Sequence, residues 1–206
     1  MADSLQNILS GDLFMQCDMP NKSAFCQLPS GFSTRLCKRE ELITWKTIFA
    51  QGEYMDFVNR YYDKVYAPYE NDFFSRCLFV VDENDTPIAT SGIWLSYRKI
   101  NTLLGFFVLL EYQGQGIGRG LLSEVMKNSD YPIYLHTHPI AAKAIKLYSD
   151  FGFKFVTDST VGYRSNNLQE SLPYLKEALR DSANLQTVKA NPALLEAALL
   201  SEYAEF

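Results

Sequence analysis

The chain has 206 residues, which is enough for one domain with a sizeable hydrophobic core. Its composition, 47% hydrophobic and 21% charged, is ordinary for a soluble globular protein. A net charge of −5 gives no electrostatic support for a nucleic-acid partner, and no apolar run approaches the ~20 residues that cross a bilayer. The N-terminus carries Asp3 and has no basic stretch before a continuous apolar segment, so we expect a cytoplasmic protein with neither a signal peptide nor a membrane partner.

The first segment shows only weak periodicity. Leu5, Ile8, Leu9 and Leu13 favour one short helix. The turn-forming residues Pro29-Ser30-Gly31 close the segment, so residues 1–29 are expected to form an N-terminal extension.

A mixed α/β pattern follows at residues 30–165, where we place the principal domain. Alternation and helical periodicity predict a strand, two helices, three strands, and then helix, strand, helix and two strands. The predicted strands are 32–38, 74–81, 88–97, 102–110, 133–137, 153–157 and 160–164, and the predicted helices are 40–50, 53–66, 116–127 and 139–151.

Residues 166–206 are patterned as helices only. Leu172, Leu175 and Leu179 form one apolar stripe. Asn191 before Pro192 is typical of a helix N-cap followed by proline at the first helical position. This C-terminal appendage either packs on an exposed edge or face of the sheet or provides the contact of a homodimer.

The stretch between the strand at 102–110 and the helix at 116–127 is rich in glycine. Glycine occupies every second position from Gly114 to Gly120. A helix begins with unpaired N–H groups and the positive end of its dipole, and glycine lets the backbone approach a phosphate closely. The segment therefore predicts a ligand that carries phosphate.

Spacing separates three kinds of phosphate-binding loop. A Walker loop requires Lys-Ser or Lys-Thr after its last glycine, which this sequence lacks. The dinucleotide fingerprint G-x-G-x-x-G would need glycine at Arg119 or Leu121. The third pattern, Q/R-x-x-G-x-G/A, matches Gln113-Gly114-Gln115-Gly116-Ile117-Gly118 at every defined position.

A second pattern lies at residues 135–153, where a predicted strand is followed by a helix with A-x-x-L-Y and by a Gly-Phe pair. Its elements are Ala144, Leu147, Tyr148, Gly152 and Phe153. Together the two patterns resemble those of the GNAT N-acetyltransferases, over roughly residues 30–165. Ala141 stands where that family often has asparagine, so we expect one side-chain hydrogen bond to the cofactor to be missing.

The resemblance implies a fold and a donor. The fold is the α/β (α+β) GNAT acyl-CoA N-acyltransferase fold, a mixed, mostly antiparallel sheet that is splayed near its middle and flanked by helices, here with extra C-terminal helices. The donor is acetyl-CoA, whose pyrophosphate is expected on the loop N–H groups, with Arg119 and Lys143 as cationic partners, and whose pantetheine is expected along the strand end. The expected donor-binding residues are Phe107, Val108, Leu109, Leu110, Gln113, Gly114, Gln115, Gly116, Ile117, Gly118, Arg119, Lys143 and Tyr148.

Three side chains are candidates for the chemistry. In the family the tyrosine that corresponds to Tyr148 often protonates the departing thiolate, and a phenol pKa of ~10 suits that transfer; otherwise it is a core tyrosine. Glu111, directly after the central strand, and His138, whose imidazole is suited to proton transfer near neutral pH, are alternative bases, as is a chain of water molecules. His136 and His138 are otherwise structural residues.

The acceptor is expected beneath the helices between residues 40 and 70. Five acids there, Glu53, Asp56, Asp63, Glu70 and Asp72, favour a cationic amine, or they form an ordinary solvated helix face. The tyrosines and phenylalanines among them either line a pocket or fill the core.

The cysteines Cys17, Cys26, Cys37 and Cys77 are irregularly spaced. This indicates reduced structural thiols. A zinc site on them would require His136 or His138 to converge on the same point, so we expect no metal.

The sequence therefore predicts an enzyme that transfers an acetyl group from acetyl-CoA to a primary amine, and we expect this amine to belong to a small molecule rather than to a protein. Neither diagnostic segment contains a cysteine that would carry the acetyl group, so direct attack in a ternary complex is expected. A non-catalytic acyl-CoA-binding sensor or interaction module is the alternative.

Overall fold

The computed structural model describes residues 2–180 and 185–206. The chain forms two compact units. The first comprises the described parts of Met1–Ala24, Leu95–Thr102 and Asp130–Phe206, and the second comprises Phe25–Trp94 and Leu103–Ser129. The predicted division at residues 29 and 165 stays a prediction.

The first unit has a mixed sheet built around one buried strand. Its strands are β1 (Leu13–Cys17), β6 (Ile133–Thr137), β7 (Lys154–Val156), β10 (Thr187–Val188) and the first residues of β5 (Ile100–Val108). β1 lies between β6 and β7 and is antiparallel to both, whereas β10 is parallel to β7 and the start of β5 is parallel to β6. In the β1–β6 register Phe14 faces His136 and Leu13 faces Thr137.

β1 corrects the prediction for the N-terminal segment. The predicted helix is present as α1 (Ala2–Leu9), but Leu13 belongs to the strand that follows. All five residues of β1 are buried. A strand covered on both faces has no alternation, and a short apolar run without alternation is not assigned by periodicity.

The first unit also contains α-helices. They are α1, α6 (Ala142–Asp150), α7 (Leu168–Leu179) and α8 (Pro192–Ala198). The predicted N-cap is confirmed, since the Asn191 side chain accepts a hydrogen bond from the Ala193 N–H at 3.0 Å. Leu175 and Leu194 are fully buried.

The predicted strand at 160–164 is wrong. The chain instead forms a separate two-stranded hairpin, β8 (Thr160–Val161) and β9 (Arg164–Ser165). Gly162 turns the chain with a φ of 60°, and a Cβ at this position would lie 2.4 Å from the Ala198 carbonyl oxygen. The hairpin therefore depends on Gly162, whereas a continuous strand would not need glycine at this position.

The second unit has an antiparallel sheet with helices on it. Its strands are β2 (Ser33–Leu36), β3 (Leu78–Val81), β4 (Pro87–Ser96) and the later part of β5, in the order β5-β4-β3-β2. Its helices are α2 (Leu42–Ala50), α3 (Met55–Tyr61), α4 (Glu70–Arg76) and α5 (Ile117–Met126). Both β2 and β4 are antiparallel to β3, and the Ser91 hydroxyl on β4 donates to the Leu104 carbonyl oxygen on β5 at 2.9 Å.

The predicted helix at 53–66 and the predicted strand at 74–81 are both only partly right. α3 ends at Tyr61 and continues as a π-helical turn, Tyr62–Tyr66, and a 3₁₀ turn, Ala67–Tyr69. Pro68 lies within this 3₁₀ turn. Proline is tolerated there because the N–H groups of a first helical turn have no partner within the helix. Phe73 and Phe74 then belong to α4 and are buried there, although aromatic residues also favour strands.

Two clusters form the core of the second unit. In one, Trp45 packs against Tyr66 and Phe73 at ring-centroid distances of 5.6 and 4.9 Å. In the other, Ile117, Leu121 and Val125 of α5 pack with residues of β3 and β4. The predicted inward face of α5, Leu121, Leu122, Val125 and Met126, is confirmed as buried.

The predicted fold class is confirmed as a mixed α/β fold with a mostly antiparallel sheet flanked by helices. All four cysteines are unpaired, and only Cys26 among them is exposed. Within residues 2–180 and 185–206 no helix combines the length and the apolar character needed to span a bilayer.

Candidate active site

Two glutamine side chains hold the glycine-rich loop, one to the end of β5 and the other to the turn that follows it. A 3₁₀ turn, Leu110–Tyr112, connects the strand to the loop. The Gln113 amide donates to the Val108 carbonyl oxygen at 3.1 Å, and the Gln115 amide donates to the Glu111 carbonyl oxygen at 3.0 Å. Both bonds fix the path of the backbone between strand and helix.

Two glycines give the loop a conformation that other residues rarely adopt. Gly114 and Gly116 have φ values of 79° and 86°. A Cβ at Gly114 would meet no atom within 4 Å, and one at Gly116 would meet only the Pro29 ring, at 3.6 Å. The backbone of the loop therefore borders open space. A ligand could occupy this space, and a side chain larger than that of glycine would fill it.

The start of α5 supplies N–H groups to the same place. The first bond of the helix runs from the Gly120 N–H to the Gly116 carbonyl oxygen at 3.0 Å, so the N–H groups of residues 117–119 precede the intrahelical ladder. Gly114, Gln115 and Gly116 are exposed, and Gly118 and Arg119 are half-buried. An exposed helix N-terminus next to two open glycines fits a pyrophosphate.

The strand end before the loop is partly accessible. Phe107, Val108 and Leu109 are half-buried, and Leu110 is 74% exposed. The Leu109 N–H donates to the Ile88 carbonyl oxygen at 2.9 Å. A ligand that pairs with this stretch therefore has to use backbone groups other than the Leu109 amide.

Tyr148 lies on α6 in the first unit and is only 6% exposed. Its ring packs edge-on against Phe153 at 5.9 Å. Burial raises the pKa of the Tyr148 phenol well above its ordinary value, so the hydroxyl keeps its proton at neutral pH. On the same helix Lys143 is exposed, and Ala141 precedes the helix without a side-chain cap.

The two candidate bases have different surroundings. Glu111 is exposed in the turn after β5. His138 directly follows β6, and its Nδ1 lies 3.1 Å from the Gly11 carbonyl oxygen. Since a carbonyl only accepts, His138 Nδ1 is the donor in this hydrogen bond.

Asp12 joins the two histidines, a contact that the sequence did not reveal. Its Oδ1 accepts a hydrogen bond from His136 Nε2 at 2.7 Å and lies 3.8 Å from His138 Nδ1. Burial lowers the pKa of His136 to about 4, despite the opposite effect of the Asp12 hydrogen bond. Burial alone would raise the pKa of Asp12, but His136 and the charge of Arg164 bring it below its ordinary value.

The region predicted for the acceptor is aromatic and partly acidic. Phe57 stacks on Tyr61 at 5.6 Å, and Phe49 contacts Phe107 of β5 at 4.6 Å. Glu53, Asp56, Asp63 and Glu70 are exposed. Glu70 also forms an ion pair with Arg39 at 2.5 Å.

The fold and the loop define a class of mixed α/β protein in which a glycine-rich loop and an exposed helix N-terminus follow a central strand. Residues 42–153, more than half of the chain, match the family model described as the acetyltransferase (GNAT) family. The chain therefore belongs to the GNAT acetyltransferase family, a class of acyl-transferring enzymes. None of the curated proteins matches the sequence significantly.

Solved structures resemble the fold at low sequence identity. A GCN5-related N-acetyltransferase from Sphaerobacter thermophilus aligns with a TM-score of 0.51 and 14% identity, over 66% of this chain and 47% of the other. A GNAT-family acetyltransferase from Colwellia psychrerythraea gives 0.53 and 17%, over 71% and 53%. A functionally unknown conserved protein from Staphylococcus epidermidis gives 0.50 and 16%, over 75% and 63%. The chain spans about half the length of the first two proteins, and this likeness concerns the fold.

Proposed function

We propose that the protein transfers an acetyl group from acetyl-CoA to the primary amine of a small molecule, by direct attack in a ternary complex. Family membership supports acyl transfer in general. The observation that carries the choice of donor is the open backbone at Gly114 and Gly116 before an exposed helix N-terminus. The donor supplies an acyl group already activated as a thioester.

The proposed donor-binding residues fall into three groups. The loop residues 113–118 would hold the pyrophosphate through backbone N–H groups, and residues 107–110 would line the pantetheine. Arg119 and Lys143 would contribute positive charge for the phosphates. Exposure of the loop and of Lys143 agrees with these roles.

Two proton transfers are proposed, one to the departing thiolate and one from the acceptor amine. Tyr148 would deliver its hydroxyl proton to the departing thiolate. Burial keeps this proton on the phenol at neutral pH, but the raised pKa also makes Tyr148 a weaker acid than an ordinary phenol. An alkylammonium acceptor, with a pKa of ~10.4, must first lose a proton. His138 is the favoured base because the Gly11 carbonyl oxygen fixes its Nδ1–H and leaves Nε2 to accept. Glu111 and a chain of water molecules are the alternatives.

The acceptor is proposed to be a cationic amine. Exposed Glu53, Asp56 and Asp63 would attract it, and the Phe57–Tyr61 pair would offer ring faces to its apolar part. The C-terminal residues 166–206 are proposed to serve mainly as cover, because Leu175, Leu179 and Leu194 are buried. Leu199 and Leu200, both more than half exposed, support the homodimer as the second possibility.

The test measures thiol release from acetyl-CoA in the presence of a panel of primary amines. Amine-dependent release, with acetylated amine identified by mass spectrometry, is the expected result. Donor binding without release for any amine would favour the non-catalytic acyl-CoA sensor or interaction module. Release of thiol that does not depend on the amine would contradict direct attack.

A further inference from the structure

Three side chains with metal-binding atoms converge in the first unit, apart from the donor loop. His136 and His138 are two residues apart along β6 and its extension, so they lie on the same face. Asp12 directly precedes β1, whose register pairs Leu13 with Thr137. Continuing that register by one residue sets Asp12 opposite His138.

The spacing of these atoms suits chelation. Asp12 Oδ1 lies 2.7 Å from His136 Nε2 and 3.8 Å from His138 Nδ1, and the ligand atoms all lie within 4.8 Å of one another. Ligands of a tetrahedral zinc ion, at bond lengths of 2.0–2.1 Å, are about 3.3 Å apart. The observed separations lie on both sides of that value, so small side-chain shifts suffice.

We propose that Asp12, His136 and His138 bind a divalent transition-metal ion, with Zn²⁺ as the best match. Two imidazole nitrogens and one carboxylate oxygen are a ligand set that zinc accepts, with water or another oxygen at the fourth position. The Gly11 carbonyl oxygen, 3.1 Å from His138 Nδ1, is a candidate for that position. The ion takes the place of the two N–H protons, each of which moves through solvent to the other nitrogen of its ring.

The segment that carries Asp12 is held in position by Asn167. The Asp12 N–H donates to the Asn167 side chain at 3.1 Å, and the Asn167 N–H donates to the Asp12 carbonyl oxygen at 2.8 Å. A Cβ on Gly11 would lie 2.8 Å from Asn167 Cβ, so glycine permits this close approach. Ligands fixed by such supporting contacts lose little freedom on binding.

Access and charge set the expected affinity. The His138 side chain is 43% exposed and that of Asp12 is 27% exposed, so an ion can enter from solvent. Arg164 adds positive charge near Asp12 and His136 and opposes a dication. We therefore expect a dissociation constant of about 1 µM rather than the nanomolar range.

Metal binding also bears on the proposed reaction, a consequence that rests on the proposed role of His138. With the ion on Nδ1, the Nε2 of His138 carries the proton and no longer accepts one. Zinc would then inhibit the enzyme rather than serve as its cofactor. The binding test below needs no turnover, so the metal site and the proposed function can fail separately.

The experiment is calorimetric titration of ZnCl₂ into the full chain after treatment with EDTA, in a Cys26→Ser background that removes the exposed thiol. We expect one ion per chain and binding at least tenfold weaker in Asp12→Asn and in His138→Gln. The half-exposed position of His138 makes the second variant the safer one for folding, which circular dichroism verifies.

Asp18→Asn, at the other end of β1, is the matched control and should bind as the background protein does. The visible absorption of bound Co²⁺ should show nitrogen and oxygen ligands in low coordination and should disappear in His138→Gln. Absence of zinc binding in the background protein, or binding that neither variant weakens, would overturn the proposal.

Discussion

Tyr148 and Tyr134 are two buried tyrosines of the first unit. Comparing their phenylalanine variants distinguishes a catalytic role of Tyr148 from a structural one. Burial raises the pKa of both phenols, that of Tyr134 to about 12. Tyr148 belongs to the A-x-x-L-Y pattern, and Tyr134 does not. We expect Tyr148→Phe to lower kcat for amine-dependent thiol release by about 10²-fold, the size of a lost general acid.

Tyr134→Phe is the control for that loss. The Tyr134 hydroxyl is buried without a hydrogen-bond partner among the described residues, so its removal should leave both turnover and stability near the wild-type values. Wild-type turnover in Tyr148→Phe, or an equal loss in the two variants, would remove Tyr148 from the mechanism.

Arg35 makes stability depend on pH through Glu41. Its guanidinium donates to both Glu41 carboxylate oxygens, at 2.8 and 2.7 Å. This pairing lowers the pKa of Glu41, although partial burial acts in the opposite direction. A depressed folded-state pKa stabilises the fold above the unfolded-state pKa, and that stabilisation disappears as pH falls through the folded-state value.

We therefore expect Arg35→Gln to lower the free energy of unfolding by about 1 kcal/mol at pH 7, as for a half-buried bidentate pair. The difference from the wild-type protein should shrink at an acidic pH below the depressed pKa of Glu41, because the carboxyl group is then protonated in both proteins. Urea unfolding at the two pH values measures it. A difference that grows on acidification would show that the pair is not its source.

At the scale of elements, α8 depends on its N-cap. The Asn191 side chain accepts from the Ala193 N–H, and the Asn191 N–H donates to the Gln16 side chain at 2.9 Å, which ties the helix start to β1. Asn191→Ala should cost about 1 kcal/mol of unfolding free energy. Glu196→Gln, an exposed change on the same helix, should cost almost nothing. Equal stability of the two variants in urea would argue against the cap.

Elements with a strong local pattern were predictable from sequence. The strand at 133–137 and the core face of α5 agree with the structure because strand-favouring residue types and helical periodicity are local signals. The helix at 53–66 was predicted too long because its last turn is π-helical. β1 was missed because a strand buried on both faces shows no alternation.

The same distinction applies to the candidate site. The loop from Gln113 to Gly118 is recognisable from sequence because the backbone conformation that it needs requires glycine at fixed positions within a few residues. Asp12 meets His136 across 124 residues of chain. That contact depends on the pairing of β1 with β6. A local sequence pattern does not predict such a long-range pairing.

At the scale of the whole molecule, family membership supports the proposed donor more closely than the proposed acceptor. The matched region, residues 42–153, includes the proposed donor loop and the segment of Tyr148. The acceptor proposal depends instead on side chains of α3 and its surroundings. One fold can support many functions, so the acceptor has to be inferred from the side chains of its site and not from the fold.

Two glycines of the second unit allow a direct test of the donor loop. Gly114 and Gly52 have φ values of 79° and 85°, and a Cβ at either would meet no atom within 4 Å. Alanine at either position should therefore cost a similar amount of stability, about 1 kcal/mol, through backbone strain alone. Only the Cβ at position 114 would enter the proposed pyrophosphate site.

The decisive measurement is calorimetric titration of acetyl-CoA into the wild-type protein, Gly114→Ala and Gly52→Ala, with folding of each verified by circular dichroism. We expect a dissociation constant in the micromolar range for the wild-type protein and for Gly52→Ala, and binding at least ~10-fold weaker, about 1.4 kcal/mol, for Gly114→Ala. No binding to the wild-type protein, or equal binding by the two variants, would contradict the assignment of this loop as the donor site.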